Sequence, residues 1–133
     1  MELVDICFNL TSSALRNDEA EGIERAHQVG VNHFILTGSN VPDSEYAIQL
    51  STKYDGMVAT AGVHPHHASQ YTEEVGDKLT SLCQFPAVVA VGECGLDFFR
   101  NFYVFLSFFQ AFLIITDLSH KYNLDIYKLL IIV

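Results

Sequence analysis

Residues 33–63, HFILTGSNVPDSEYAIQLSTKYDGMVATAGV, decide the fold. They predict a strand at His33–Thr37 that is followed by Gly38, and then a helix that begins at Pro42. A second strand is predicted at Met57–Val63. The helix carries Ala47, Leu50 and Tyr54 at a helical spacing that turns them towards a common core. A strand, a helix and a strand in this order are typical of a parallel sheet.

The same alternation continues on both sides of this stretch. Before this stretch it predicts a strand at Leu3–Phe8 and a helix over Asp18–Val29, with Asn17 as the helix cap and Gly30 beyond the helix end. After it, a helix capped by Thr72 carries Val75, Leu79 and Leu82 on one face. A strand is then predicted at Val88–Glu93. Four β/α units in about a hundred residues predict an α/β fold that is half of an eight-unit TIM barrel, whose usual size is roughly 250 residues. Such a half would leave two sheet edges open and an apolar inner face uncovered.

Composition sets limits on the class of protein. The chain has 133 residues, enough for one domain, and 7 basic against 16 acidic residues give a net charge of −9. This excess of acidic residues argues against a protein that binds nucleic acid through a broad basic surface. The odd number of cysteines, Cys7, Cys83 and Cys94, cannot all pair with one another and forms no CxxC motif. Together with a start that resembles no secretory signal, they predict a cytoplasmic protein.

The longest apolar stretch, Phe102–Ile115, is interrupted by Ser107 and Gln110. It is shorter than the roughly 18 to 20 residues that a membrane-spanning helix needs. We therefore expect a buried or disordered tail and no membrane partner.

Polar residues follow the predicted strands at one end of the sheet: Asp5, Cys7, Asn9, Ser39, Asn40, His64, His66, His67, Glu93 and Asp97. In parallel α/β proteins the carboxyl ends of the strands form the functional edge. Taken singly, these residues have plainer roles: Asn9 or Asn40 could cap a helix, His67 could face solvent and Asp97 could start a turn. Taken together, they favour a site.

Two segments carry most of the chemistry. In Ala61-Gly62-Val63-His64-Pro65-His66, two imidazoles follow a strand directly, and such a pair can bind a metal or orient a phosphate. In Val91-Gly92-Glu93-Cys94-Gly95-Leu96-Asp97, a carboxylate ends an apolar strand between two glycines. A buried acid at that point is costly unless a metal or hydrogen bonds compensate for its charge.

These segments, together with Asp5-Ile6-Cys7-Phe8-Asn9-Leu10-Thr11-Ser12-Ser13 and Leu36-Thr37-Gly38-Ser39-Asn40, resemble the TatD family of metal-dependent deoxyribonucleases over residues 3–102. The resemblance implies a barrel of the amidohydrolase type with one or two divalent ions, usually Mg²⁺ with Mn²⁺ as an alternative. It implies DNA as the substrate, degraded from its 3′ end, and RNA in some members. It makes Glu93 a metal ligand and His64 a catalytic residue near the phosphate, and it places Asn9, His66 and Asp97 beside the substrate or the ligands.

The chain also departs from the family pattern. Many relatives carry two metal-binding histidines where this chain has Cys7 and Asn9, a trait that it shares with the bacterial branch. From Tyr103 onward only His120–Tyr127 resembles the expected helix end and strand, and the later histidine and aspartate ligands are not found. We therefore predict the amino-terminal half of a TatD barrel at 1–102 and a divergent apolar tail at 103–133 of a truncated or frameshifted product. The alternatives are a catalytically silent half-barrel that binds a partner or its own copies, and a related metallohydrolase of a small amide or ester.

Overall fold

The computed structural model describes the backbone of residues 2–97, 113, 116–126 and 129–132, and the side chains of residues 2–95, 113 and 116–124. The strands are β1 (Leu3–Phe8), β2 (Val31–Leu36), β3 (Met57–Ala61), β4 (Val88–Val91), β5 (Cys94–Asp97), β6 (Asp125–Ile126) and β7 (Leu129–Ile132). The helices are α1 (Glu19–Gln28), α2 (Val41–Lys53) and α3 (Glu73–Leu82), with 3₁₀ turns at Arg16–Asp18 and Pro65–Gln70 and further helix at 116–122. Except for Leu113, the predicted apolar stretch at 102–115 lies outside these residues, and so does the predicted boundary at 102.

All strand pairs of the described sheets are parallel. The larger sheet has the order β1-β2-β3-β4-β6, and β5 pairs with β7 in a second sheet of two strands. Because α1, α2 and α3 each connect two neighbouring parallel strands, the chain repeats one β/α unit along the sheet. The predicted α/β fold with four β/α units is confirmed.

The first helix begins later than predicted, and Asn17 does not cap it. Residues 16–18 form a 3₁₀ turn, and the cap position falls on Asp18, whose side chain makes no cap hydrogen bond. The Asp18 carboxylate instead accepts a 2.5 Å hydrogen bond from Arg25 on the next turns of α1. The prediction of Gly30 beyond the helix end is confirmed, since Gly30 has a positive φ of 89°.

The caps of the next two helices follow the sequence signals closely. Asn40 Oδ1 accepts a 2.8 Å hydrogen bond from the backbone N–H of Asp43, so Asn40 is the N-cap of α2 and Pro42 lies in its first turn. Thr72 Oγ1 accepts from the N–H of Val75 and caps α3 as predicted. Both helices are therefore placed by short polar side chains at the ends of the preceding loops.

Three strands end earlier than the sequence predicts. The second strand runs from Val31 to Leu36 instead of from His33 to Thr37. The third strand stops at Ala61 rather than Val63, and the fourth stops at Val91 rather than Glu93. Beyond these points the backbone leaves the sheet ladder, because His64 and Glu93 donate their N–H groups to the loop after β2. Gly92 permits the change of direction with a φ of 145°.

The core lies between the sheet and the helices. Fully buried side chains come from β2 (Phe34, Leu36), α2 (Ala47, Leu50), β3 (Ala59, Ala61), α3 (Leu79) and β4 (Val91). Tyr54, predicted to turn towards the core from within α2, follows the helix end at Lys53 and is half-buried.

The two edges of the larger sheet differ. On β1, Val4 and Ile6 are 54% and 63% exposed. The opposite edge is not open at β4, because β6 pairs with it through Ala90 and Val91. Among the described residues, the larger sheet therefore ends at β1 on one side and at β6 on the other. The segment at 120–127, which resembles a helix end and strand, supplies this added strand.

Within the described residues, no helix has both the length and the apolar character needed to cross a membrane.

Candidate functional site

The loops after β1, β2, β3 and β4 all leave the sheet at the same edge, because the strands are parallel. Of the predicted site residues, the structure brings together His64, His66 and Glu93. The rings of His64 and His66 meet edge to face, with centroids 4.3 Å apart, and His64 Nε2 lies 3.8 Å from Glu93 Oε2. The edge therefore holds a carboxylate beside two imidazoles.

His64 is held in one tautomer by its own loop. Its Nδ1 accepts a 3.0 Å hydrogen bond from the backbone N–H of His66, so Nδ1 carries no proton. In the neutral ring the proton must then lie on Nε2, the nitrogen that approaches Glu93. A separation of 3.8 Å is too long for a direct hydrogen bond, so this N–H and the carboxylate lie beside each other without bonding directly.

Glu93 is buried, with 5% of its surface exposed. Its backbone N–H donates to the carbonyl of Gly38 at 3.0 Å, and the N–H of the preceding Gly92 donates to the carbonyl of Ala61 at 2.8 Å. Gly62 lies directly against this turn, since a Cβ atom on it would overlap the Gly92 backbone. The ends of three neighbouring strands thus fix the position of the carboxylate.

His67 does not face solvent freely, as its plainer reading supposed. It is half-buried, and its Nδ1 lies 3.0 Å from the carbonyl oxygen of Ser39, which can only accept. His67 therefore carries its neutral ring proton on Nδ1, the opposite tautomer to His64.

Asn9 and Asp97 are not shown to join this group. Asn9 follows β1 at the same edge and is exposed, and among the described contacts only its backbone carbonyl is engaged, by Ser12 N–H. Asp97 is the last residue of β5, where its backbone pairs with Ile132. The predictions that Asn9, His66 and Asp97 contact substrate or ligands stay predictions.

The sequence reading missed two residues, Asp43 and Arg16. Asp43 Oδ2 accepts hydrogen bonds from Ser39 Oγ at 2.5 Å and from Asn40 Nδ2 at 3.0 Å. Arg16 Nη2 donates to Asp43 Oδ1 at 3.2 Å, while Arg16 Nε donates to the carbonyl of Thr11 at 2.7 Å. The signal in the sequence is an acid three residues after a capping Asn, which resembles a capping box.

Cys94 follows Glu93 directly and is fully buried. Burial, and to a lesser degree the charge of Glu93, raise the pKa of this thiol to about 11. Cys94 is therefore a neutral thiol at physiological pH, and the Glu93 side chain supplies the oxygen ligand that this turn presents.

The donors at this edge fit part of a divalent-metal site. A buried carboxylate is the hard oxygen ligand that Mg²⁺ and Mn²⁺ prefer. In the part of the chain that the structure describes, however, no three His, Cys, Asp or Glu side chains converge as a complete ligand set. Glu93 therefore fits as one ligand of such a site.

Comparison with known proteins gives one family. The family model described as TatD related DNase matches residues 4–127. The chain is similar to proteins named 3'-5' ssDNA/RNA exonuclease TatD: 46% identical over 100 residues in Klebsiella pneumoniae and 48% over 101 residues in Edwardsiella piscicida. Each match covers 75% of this chain but only 38% and 39% of the relative, respectively, so the chain spans well under half the length of these relatives.

Two solved structures share the fold. A TatD homologue from Escherichia coli superposes with a TM-score of 0.85 at 25% identity, and covers 92% of this chain and 48% of its own. A TatD family hydrolase from Entamoeba histolytica gives a TM-score of 0.81 at 29% identity, with 92% and 47% covered. The described β/α units therefore correspond to about half of a TatD fold.

Proposed function

Because the chain belongs to the TatD family of related DNases, we propose that it supplies the part of the active site that contains Glu93 in a metal-dependent nuclease. This nuclease hydrolyses phosphodiester bonds. The substrate is single-stranded DNA degraded from its 3′ end, with RNA as a second substrate, as the names of its relatives indicate for them. The observation that carries this proposal is the buried Glu93 carboxylate with His64 Nε2 3.8 Å away.

Glu93 holds the divalent ion, Mg²⁺ or Mn²⁺. Its burial keeps competing water away and strengthens the attraction between carboxylate and cation. When bound, the ion supplies positive charge that stabilises a phosphate in the transition state.

His64 is the catalytic residue beside the phosphate. Since His66 N–H occupies its Nδ1, His64 offers an Nε2–H that can donate to a phosphate oxygen next to Glu93. We assign Asn9 and His66 to substrate contact at the same edge and Asp97 to support of the ligands. Because the chain has a net charge of −9, it repels a polyanion overall, and this local hydrogen-bond donor is therefore more important for binding the substrate.

We place this activity in the cytoplasm. The supporting observation is the odd number of cysteines, of which Cys83 and Cys94 are buried thiols.

The test is release of nucleotides from 3′-labelled and 5′-labelled single-stranded DNA, with Mg²⁺, Mn²⁺ or EDTA. We expect faster release from the 3′ label, none with EDTA, and a loss in Glu93→Gln greater than the roughly 100-fold seen for residues that only support ligands. Glu74→Gln is the matched control, because Glu74 is 79% exposed on α3 and pairs only with Lys78 among the described ion pairs. Metal-independent cleavage, or equal activity in Glu93→Gln, would contradict the proposal. Folded protein that binds Mn²⁺ without cleaving DNA would support the silent half-barrel instead.

A further inference from the structure

The backbone carbonyls of residues 38 and 39 position His64 and Glu93, and the carboxylate of Asp43 holds the segment that carries these carbonyls. The carbonyls of two consecutive residues, Gly38 and Ser39, accept the backbone N–H groups of Glu93 at 3.0 Å and His64 at 2.8 Å. The second of these carbonyls also accepts from His67 Nδ1 at 3.0 Å. The position of residues 38 and 39 therefore sets the separation between the carboxylate and the imidazole.

Asp43 holds this segment from the first turn of α2. Its Oδ2 accepts from the Ser39 hydroxyl at 2.5 Å and from the Asn40 amide at 3.0 Å. Its Oδ1 accepts from Arg16, whose Nε bonds the Thr11 carbonyl in the loop after β1. One carboxylate thus joins the loops after β1 and β2, and through Ser39 the loop after β3.

Capping of α2 does not account for these contacts. The cap bond runs from the backbone N–H of residue 43 to Asn40 Oδ1, and any residue other than proline at position 43 keeps it. The Asp43 side chain is 20% exposed, and both of its carboxylate oxygens accept hydrogen bonds, three in all.

We propose that Asp43 is a positioning residue for the candidate active site, acting through Ser39 to hold His67 in its Nδ1–H tautomer and to keep the backbone of His64 in place beside Glu93. This inference rests on the proposed function for its catalytic consequence, whereas its structural part does not. Without Asp43, Ser39 loses the acceptor of its hydroxyl, and its carbonyl is no longer fixed opposite His67 Nδ1. His67 would then return to the Nε2–H form that free imidazoles prefer, and the approach of His64 to Glu93 would widen.

The experiment follows the imidazole nitrogens of the full chain by long-range ¹H–¹⁵N correlation at a pH where the rings are neutral. In the unmodified chain we expect His64 as the Nε2–H tautomer and His67 as the Nδ1–H tautomer. Asp43→Ala and Ser39→Ala should each shift His67 towards Nε2–H, and the double variant should shift it no further than Asp43→Ala alone, because both act through one contact. Thr72→Ala is the matched control, since it removes the cap of a helix outside this network.

A second readout is cleavage of 3′-labelled DNA. Asp43→Ala should lower kcat by about 10- to 100-fold with KM changed less than about twofold, as for groups that orient a ligand. Unchanged imidazole signals in Asp43→Ala, or equal shifts in Thr72→Ala, would overturn the proposal. If the unmodified chain does not cleave DNA, the proposed function fails while the tautomer result still decides the role of Asp43.

Discussion

The carbonyl of Ser39 accepts the backbone N–H of His64 at 2.8 Å, across the gap between the ends of β2 and β3. The neighbouring carbonyl of Gly38 accepts from Glu93 in the same way. A histidine and a glutamate 29 residues apart in sequence are therefore placed by two adjacent backbone groups. The geometry of the candidate site depends on how tightly the strand ends pack.

Gly62→Ala should disturb this packing. A Cβ atom at Gly62 would overlap the backbone of Gly92 and the carbonyl of Glu93, so one of the strand ends must move. We expect a loss of about 1 to 3 kcal/mol in the free energy of unfolding, measured by urea denaturation, together with weaker Mn²⁺ binding.

Gly22→Ala is the control for this change. The nearest atom to a Cβ at Gly22 is Arg25 Nη2 at 3.7 Å, an ordinary contact, so alanine in this helix should be neutral or stabilise by up to about 1 kcal/mol. If both variants unfold at the same urea concentration as the unmodified chain, close approach at Gly62 does not constrain the site.

Sequence patterns predicted the order of strands and helices along the chain and the residues at the functional edge, because periodicity and caps are local signals. They missed the ends of β3 and β4, since the backbone leaves the ladder there to bond residues 38 and 39, which are distant in sequence. They missed Asp43 for the same reason. An acid in the first turn of a helix has an ordinary local explanation, and only the fold brings Arg16 and Ser39 to it.

Glu19 should make stability depend on pH below about 4.5. Its carboxylate accepts hydrogen bonds from Lys53, Tyr54 and Tyr46, and these contacts, the bond from Lys53 foremost, lower its pKa from 4.5 to about 2. A carboxyl whose pKa is lower in the folded state stabilises the fold at pH values above its pKa in the unfolded state. This contribution is lost as the pH falls from about 4.5 towards 2.

Glu19→Gln tests this dependence. We expect the variant to lose about 1 to 2 kcal/mol at pH 7, a value reduced for the 60% exposure of Lys53, and to lose less further stability than the unmodified chain between pH 5 and 2.5. Glu24→Gln, an exposed change on the same helix, should follow the unmodified curve. Parallel curves for Glu19→Gln and the unmodified chain in urea titrations across this range would refute the assignment.

Cys83 and Cys94 should resist thiol reagents in the folded chain. Both are buried, and burial raises the pKa of each thiol to about 11, so neither forms the reactive thiolate at pH 8. Ellman's reagent should therefore modify at most one of the three thiols in the native protein and all three in guanidinium chloride. Rapid native modification of more than one thiol would show that the β4 region opens readily.

Tyr71→Phe should stabilise the protein, although it removes a polar group and adds no contact. The Tyr71 hydroxyl is buried at a cavity of about 440 Å³ beside α3 and has no hydrogen-bond partner among the described residues, and burial raises its pKa. A buried hydroxyl without a partner loses its water and gains nothing in return, so its removal should raise the free energy of unfolding by about 1 kcal/mol. Tyr46→Phe is the matched control: it deletes the 2.7 Å hydrogen bond from Tyr46 to Glu19 and should cost about 1 to 2 kcal/mol in the same urea titration. A loss of stability in Tyr71→Phe as large as that in Tyr46→Phe would mean that the Tyr71 hydroxyl is satisfied in solution, with a water molecule in the cavity as its partner.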